Sequence, residues 1–344
     1  MQKLLTVAVP CYNSQEYMRT ALESILPGRE KTEILVVDDG SADATAAIAE
    51  EYAARYPDAV RVIRRENGGH GAAINTGLRE ARGLYFRVVD SDDWLSRDAL
   101  MKLLDVLEEM HRKAEYADLV LTNYIYDHGE KGKRKLIHYR GTVPAGRTIT
   151  WDEVGQFPLG SYILMHAATY RTGLLRDSGV ELPGHTFYVD NIFVYVPMAL
   201  TQRLYYLDAD LYHYTIGRPD QSVNEEVMTR RCSQQLRINR IMLESVDLAR
   251  VDHPRKRECM LHYLEVITMA TTVFLLRSRT KENEKALTEF LTEIRDRYPA
   301  VYGYLVSPPG RKHPFRIIRR LPRRIAAPAI LLGYRVFRSS FGFN

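Results

Sequence analysis

Cysteine is scarce: Cys11, Cys232 and Cys259 are the only three in 344 residues, an odd number with no C-x-x-C spacing. That excludes a disulfide framework and a cysteine-ligated zinc site, and it suits a reducing compartment. Long apolar runs are also missing. No stretch approaches the roughly 18 uncharged apolar residues of a membrane span. The closest, Val266 to Leu276, reads as a core helix. The first residues reach Pro10 too soon for a signal peptide. There is no internal repeat and no low-complexity tract. Apolar content of 45% and charged content of 26% are those of a folded globular chain rather than a disordered one. Acidic residues stop at Asp296: the segment Arg297 to Asn344 carries +10, and everything before it −5. Such a split predicts a polyanionic partner for the tail.

What is present begins with a strand-and-helix alternation. Leu4 to Val9, Ile34 to Val37, Val60 to Ile63 and Tyr85 to Val89 are short apolar runs that read as strands. Between them, Met18, Ala21, Leu22 and Ile25 recur at helical spacing, with Asn13 and Glu16 in capping-box positions. Asp43 is placed to cap a second helix ending near Arg55, and Gly71 to Ala81 forms a third. This alternation predicts an α/β fold with a parallel sheet and right-handed crossovers. The middle of the chain is mixed, with strand candidates at Leu119 to Thr122, Tyr124 to Tyr126, Leu136 to Tyr139, Ala167 to Tyr170, Leu204 to Leu207 and Leu211 to Tyr214. From Glu225 the pattern turns helical, over about 225–250, 254–278 and 282–298.

Ligands of such sheets sit beyond the C-terminal ends of the strands. Three strand ends carry polar or special residues: Pro10-Cys11-Tyr12-Asn13, Asp38-Asp39-Gly40-Ser41 and Asp90-Ser91-Asp92-Asp93. Three carboxylates within four residues after a buried strand are costly unless neutralised. A hard divalent cation does this, and one held by few carboxylates completes its shell with water and phosphate oxygens. The acidic turn therefore suggests a metal–diphosphate site. The competing reading is a solvated turn that caps the helix from about Arg97 to Met110.

The ordered motifs resemble one family. Val7-Ala8-Val9-Pro10-Cys11-Tyr12-Asn13, Val36-Val37-Asp38-Asp39-Gly40-Ser41-Ala42-Asp43, Glu66-Asn67-Gly68-Gly69-His70-Gly71-Ala72-Ala73-Ile74-Asn75-Thr76-Gly77-Leu78 and Asp90-Ser91-Asp92-Asp93-Trp94-Leu95 are similar to the opening of a family 2 glycosyltransferase, the last being its D-x-D segment. The resemblance covers about residues 4–220 and implies a GT-A fold: a Rossmann-like, mostly parallel central sheet with a helical C-terminal region. It divides the chain into a catalytic domain at 1–222, with a nucleotide-sugar half at 1–120 and an acceptor half at 121–222. A helical region at 223–300 and a basic amphipathic tail at 301–344 follow. It further implies transfer of a sugar from a nucleotide diphosphate, usually UDP, to a hydroxyl, with inversion at the anomeric centre.

The resemblance places Pro10, Tyr12, Asn13 and Asp39 around base and ribose, with Asp38 left to cap its own turn. Asn67, Gly71 and Asn75 fall in the segment that lines the nucleotide in relatives. Asp92 is the expected ligand of Mg²⁺ or Mn²⁺, Asp90 and Ser91 support the nucleotide sugar or the metal, and Asp93 is left to cap a helix. Asp190, where relatives often carry Glu-Asp and this chain has Val189-Asp190, is the expected base. Arg218 matches a loop that closes over the diphosphate, and His213 is a further metal-ligand candidate. The Gln-x-x-Arg-Trp motif and membrane helices of processive synthases are absent, so addition of one or a few sugars is expected. The expected acceptor is a cell-surface glycan, a lipid-linked sugar or a teichoic-type polymer.

The tail interleaves Arg311, Arg316, Arg319, Arg320, Arg323 and Arg324 with Phe315, Ile317, Ile318 and Leu321. Basic residues with apolar neighbours suit an anionic membrane surface, and no motif for nucleic acid accompanies them. A tail packed on the protein is the other reading. The expected location is cytoplasmic and peripheral on the inner face of the cell membrane. Two other functions stay open at this stage: a sugar-phosphate nucleotidyltransferase, which releases pyrophosphate, and a catalytically silent glycan- or nucleotide-binding scaffold.

Overall fold

A computed structural model describes residues 2–127, 134–216, 224–306, 328 and 330–332. The chain divides into two compact units: residues 1–156 with 163–216, and residues 157–162 with 217–344.

In the first unit the elements follow as β1 (Leu5–Cys11), α1 (Met18–Ile25), β2 (Thr32–Asp38), α2 (Thr45–Arg55), β3 (Val60–Arg64), α3 (His70–Glu80) and β4 (Tyr85–Val88). Next come β5 (Trp94–Leu95), α4 (Arg97–Lys113), β6 (Leu119–Asp127), β7 (Arg134–Ile137), β8 (Thr148–Thr150), β9 (Ala168–Arg171), α5 (Thr172–Asp177), α6 (Asp190–Met198) and β10 (Arg203–Thr215). One sheet runs in the order β3-β2-β1-β4-β9-β6-β10-β5, with β7 on β6 and β8 on β10. The β3-β2-β1-β4 ladder is parallel. Beyond it, β9 pairs antiparallel with both β4 and β6, and β6 with β10 is parallel again.

Strands β1, β2 and β4 are buried along their whole length. Their continuous apolar runs are what a sheet covered on both faces requires. The chain runs outward from β1 to β3 and returns to β4 on the other side of β1. The reversal opens a crevice beyond the C-terminal ends of β1 and β4, where doubly wound folds bind ligands. Both the Cys11-Tyr12-Asn13 segment and the Asp90–Asp93 turn lie at those ends.

Several local expectations are corrected. No capping box starts α1: its first turn hangs on Ser14 O, which accepts from the N–H groups of Tyr17 and Met18. Asn13 instead reaches across to the next loop, where its Oδ1 accepts from Ala42 N at 2.9 Å. Asp93 does not cap α4, because Ser96 holds that position. The paired strand candidates at 119–126 are one strand, β6, and those at 204–214 are one strand, β10, with register shifts between Leu207 and Tyr212.

Among the described residues the second unit is helical: α7 (Glu225–Arg230), α8 (Cys232–Ser245), α9 (Pro254–Arg277), α10 (Lys281–Arg297) and α11 (Pro299–Val306). By length and composition, α9 is the one described helix able to cross a membrane, and 72% of its apolar window is buried in the protein. Its buried polar side chains find partners there. Asn239 of α8 donates to the hydroxyls of Thr268 and Thr271 at 3.1 and 3.2 Å, and His262 contacts Glu265 at 2.8 Å and the Ser161 carbonyl at 2.9 Å. The stretch expected as a tail from residue 301 begins inside α11, and beyond Val306 only residues 328 and 330–332 are described, so the membrane reading of its arginines falls on residues outside the description.

Candidate active site

The first part of the candidate site is built by the ends of β1 and β2. Pro10 is buried in β1 opposite Val37, whereas Tyr12 just beyond the strand is 55% exposed and presents its ring to solvent. Asn13 adopts a left-handed backbone (φ 49°), and its N–H donates to Ser41 Oγ at 3.0 Å. Asp38 Oδ1 accepts from Ser41 N at 3.0 Å, the turn-capping role expected for it.

Asp39 is buried at 2% exposure, and its carboxylate is already committed. It pairs with Arg65 and accepts from Gly68 N at 3.0 Å and Gly69 N at 2.7 Å. Asn67 closes the same turn, its Nδ2 donating to Asp39 O at 3.0 Å. Asp39 therefore orders the loop 65–69, through an arginine that the sequence reading did not single out.

That loop leads into α3, whose start is pressed against the segment preceding Asp190. A Cβ on Gly71 would meet Pro183 O at 2.8 Å, and one on Gly69 (φ 84°) would meet His185 N at 2.7 Å. Close approach is thus what Gly71 permits, with the protein's own backbone as the neighbour. Asn75 is corrected in the same direction. It is buried, and its amide donates to Glu181 Oε1 and Leu182 O and accepts from Leu182 N, at 2.8–3.0 Å. Two of these bonds hold the Leu182 backbone and the third holds the Glu181 side chain. His185 and Tyr188 in this segment have φ of 47° and 67°. Left-handed backbone is costly for such residues and persists where packing over-determines it.

The acidic turn follows β4. Ser91 Oγ meets Ser14 Oγ at 2.7 Å, joining the turn to the β1 loop. Asp90 Oδ1 contacts Nε2 of His70, the first residue of α3, at 2.8 Å. Asp93 is buried, accepting from the Tyr212 hydroxyl at 2.6 Å and from Thr215 N at 2.8 Å. Tyr212 also accepts from Asp90 N at 3.2 Å and stacks on His166 with ring centroids 4.5 Å apart. Oxygen and nitrogen atoms of Asp90, Asp93 and His166 lie within 4.8 Å of one another.

The electrostatics favour a cation at this cluster. Burial, then the like charges of Asp92 and Asp90, push the Asp93 carboxyl well above the usual carboxylate range. Burial pulls His166 down to about 4, so its imidazole is neutral and able to ligate. Burial also penalises charge on His70, but the Asp90 carboxylate beside it, with Asp190 and Asp92 behind, leaves its pKa raised. Asp90 is correspondingly lowered: burial opposes its charge, and the contact with His70 outweighs it. Two carboxylates and a neutral imidazole suit Mg²⁺ or Mn²⁺, and the raised Asp93 records negative charge that such an ion would offset.

Of the expected metal residues, then, Asp90 is in the cluster and Asp92 lies half-buried on the same turn outside it. His213 is elsewhere: its ring stacks on Trp94 with centroids 3.5 Å apart, and its Nδ1 is 3.8 Å from Asp127. Arg218 lies outside the described residues. His70 and His166 were missed. His70 sits in the glycine-rich segment at a helix start facing three carboxylates, a pattern that marks it in retrospect. His166 is a lone histidine before a strand and carries no signal in the sequence.

Asp190 is the first residue of α6 and half-buried. Burial and the Asp90 charge raise its carboxyl to about 6, the neighbouring His70 opposing the rise. A carboxylate of that basicity is matched to accepting a hydroxyl proton near neutral pH. Beneath the site, Arg87 is wholly buried on β4, held by Thr169 Oγ1 at 2.9 Å and by the His166 carbonyl.

The profile described as glycosyl transferase family 2 matches residues 6–171. EpsH of Bacillus subtilis (strain 168) is 31% identical over 231 residues, 62% of this chain and 60% of the relative. TarS of Staphylococcus aureus (strain Mu50 / ATCC 700699), named a poly(ribitol-phosphate) beta-N-acetylglucosaminyltransferase, is 25% identical over 308 residues, 86% of this chain and 50% of the relative. The chain thus spans 60% or less of the length of these curated relatives. The crystal structure of S. aureus TarS 1–349 with UDP-GlcNAc superposes with a TM-score of 0.54 at 22% identity, covering 88% of this chain and 91% of that one. The mannosyltransferase PcManGT from Pyrobaculum calidifontis, in complex with GDP-Man and Mn²⁺, gives 0.55 at 16% identity, covering 96% and 88%. The architecture is the GT-A fold that the motifs implied. The match runs from the first strand through the acidic turn to the end of β9, so residues 6–171 of this chain are similar to glycosyl transferase family 2.

Proposed function

We propose that this protein transfers a sugar from a nucleotide diphosphate, UDP being the expected nucleotide, to a hydroxyl of a cell-wall glycan or teichoic-type polymer, with inversion. The observation that carries the reading is that the loop of exposed Tyr12 is joined through Ser14 and Ser91 to the turn of the Asp90–Asp93–His166 cluster, with Asp190 near enough to feel the Asp90 charge. The Tyr12 ring is free to stack on the base. Asp190 accepts the proton of the acceptor hydroxyl as that oxygen attacks the anomeric carbon and the nucleoside diphosphate departs from the opposite face. A divalent cation at Asp90, Asp93 and His166 would supply charge neutralisation for the diphosphate.

The activity for which TarS is named supports the acceptor class, and the nucleotide sugars bound by TarS and PcManGT support the donor class. The test is a screen of nucleotide sugars for hydrolysis by the full chain with Mn²⁺ and after chelation. Release of a nucleoside diphosphate, lost with EDTA and restored by Mn²⁺ or Mg²⁺, is expected. Release of pyrophosphate would establish the nucleotidyltransferase reading instead.

We further infer a cytoplasmic enzyme resting on anionic membrane through its tail, from the +10 carried after Asp296. Deleting the residues after Ser307 should abolish co-sedimentation with phosphatidylglycerol vesicles, and salt should weaken it in the intact chain. Equal sedimentation by both proteins would remove the idea.

A further inference from the structure

Three donors form the cation cluster, and they are not held in the same way. Asp93 is fixed from two sides by the Tyr212 hydroxyl and Thr215 N. His166 is stacked on the same Tyr212 ring. The Asp90 carboxylate has a single partner of this kind among the described residues, Nε2 of His70 at 2.8 Å. His70 in turn cannot drift, because α3 starts where Gly69 and Gly71 press on the backbone of His185 and Pro183.

We propose that His70 is a positioning residue for the cation site, holding the Asp90 carboxylate so that Asp90, Asp93 and His166 meet a divalent ion in one geometry. An unheld carboxylate beside two others turns away from them, because like charges repel and its side chain is free to rotate. Ordering it on binding then subtracts from affinity. Groups that orient a metal ligand typically change metal affinity by roughly tenfold to a hundredfold when removed. The inference rests on the cation assigned above and deepens it, since a lone D-x-D segment contains no such group.

The experiment is a titration of the full chain with Mn²⁺ in the presence of UDP, reading free Mn²⁺ by electron paramagnetic resonance. His70→Ala should weaken Mn²⁺ binding by about tenfold to a hundredfold, with metal-free UDP binding and circular dichroism unchanged. His70→Gln, whose amide can donate to the same carboxylate oxygen, should recover most of the affinity. A purely structural role would not separate these two variants. Should His70→Ala not fold, His70→Asn, too short to reach Asp90, takes its place and should bind as weakly. Mn²⁺ affinity of the Ala or Asn variant equal to or above wild type, or a Gln variant as weak as they are, overturns the inference alone. Wild-type protein that binds no Mn²⁺ overturns the cation reading and this inference together.

Discussion

Asn75 and Leu182 exchange two hydrogen bonds: the Asn75 amide donates to Leu182 O at 2.8 Å, and Leu182 N donates back to Asn75 Oδ1 at 3.0 Å. The pair fastens the helix of the glycine-rich motif to the segment that delivers Asp190. Asn75→Ala leaves a buried N–H and a buried carbonyl without their partner, a cost of about 2–4 kcal/mol. Urea denaturation should show that loss. Steady-state kinetics should show a fall in kcat with little change in UDP affinity, since Asn75 bonds the segment that leads to Asp190. A larger effect on UDP affinity than on kcat would return Asn75 to the nucleotide pocket.

Gly69 and Gly141 both have left-handed backbone, with φ of 84° and 78°. A Cβ on Gly69 meets His185 N at 2.7 Å, while one on Gly141 meets nothing within 4 Å. Alanine at either position incurs the backbone cost of order 1 kcal/mol. Gly69→Ala alone should also force α3 and the Asp190 segment apart. Activity at saturating donor should therefore fall far more for Gly69→Ala than for Gly141→Ala at matched stability. Similar activities in the two variants would show that the contact is unimportant.

Asp190→Asn should abolish transfer while UDP still binds. In the native protein the carboxyl titrates near 6 because of burial and the Asp90 charge. The ionised form is the base in the proposed reaction, so kcat should rise with pH through about 6 and level off above it. The folded value lies above the ordinary 3.8, so folding takes up a proton between the two. This group's contribution to stability is therefore present below pH 3.8 and is lost as pH rises through about 6. An acid limb that persists unchanged in residual Asp190→Asn activity would assign the titration to another group.

Tyr12→Ala should weaken UDP binding by roughly 1–3 kcal/mol, the range for a base stacked on an aromatic ring. Stability should be unchanged, because the ring is 55% exposed. Calorimetric titration with UDP reads the first and thermal unfolding the second. Unaltered UDP affinity would place the base elsewhere.

The β/α alternation up to β4 was legible because each strand is a continuous apolar run between helical spacings, so periodicity alone separates them. The two-residue strand β5 was not, since pairing of Trp94 and Leu95 with β10 depends entirely on a partner more than a hundred residues away. The acidic turn was legible as a site, but the division of labour within it was not. Asp93 and Asp92 are interchangeable as letters, and what separates them is the Tyr212 hydroxyl, brought in by the long strand β10. His166 becomes a candidate ligand by stacking on that same ring. His213, on the alternate face of β10, is drawn away to Trp94.

The contact between Ser14 and Ser91 bears on how the two halves of a donor are felt. One hydroxyl belongs to the loop that carries Tyr12, the other to the turn that carries Asp90. The two hydroxyls are 2.7 Å apart, a direct hydrogen bond between the loops. In the proposed reaction this contact would link base recognition at Tyr12 with ion uptake at Asp90, and linkage is reciprocal. The factor by which Mn²⁺ tightens UDP must equal the factor by which UDP tightens Mn²⁺. Ser91→Ala, which removes the contact between the two loops, should shrink both factors together.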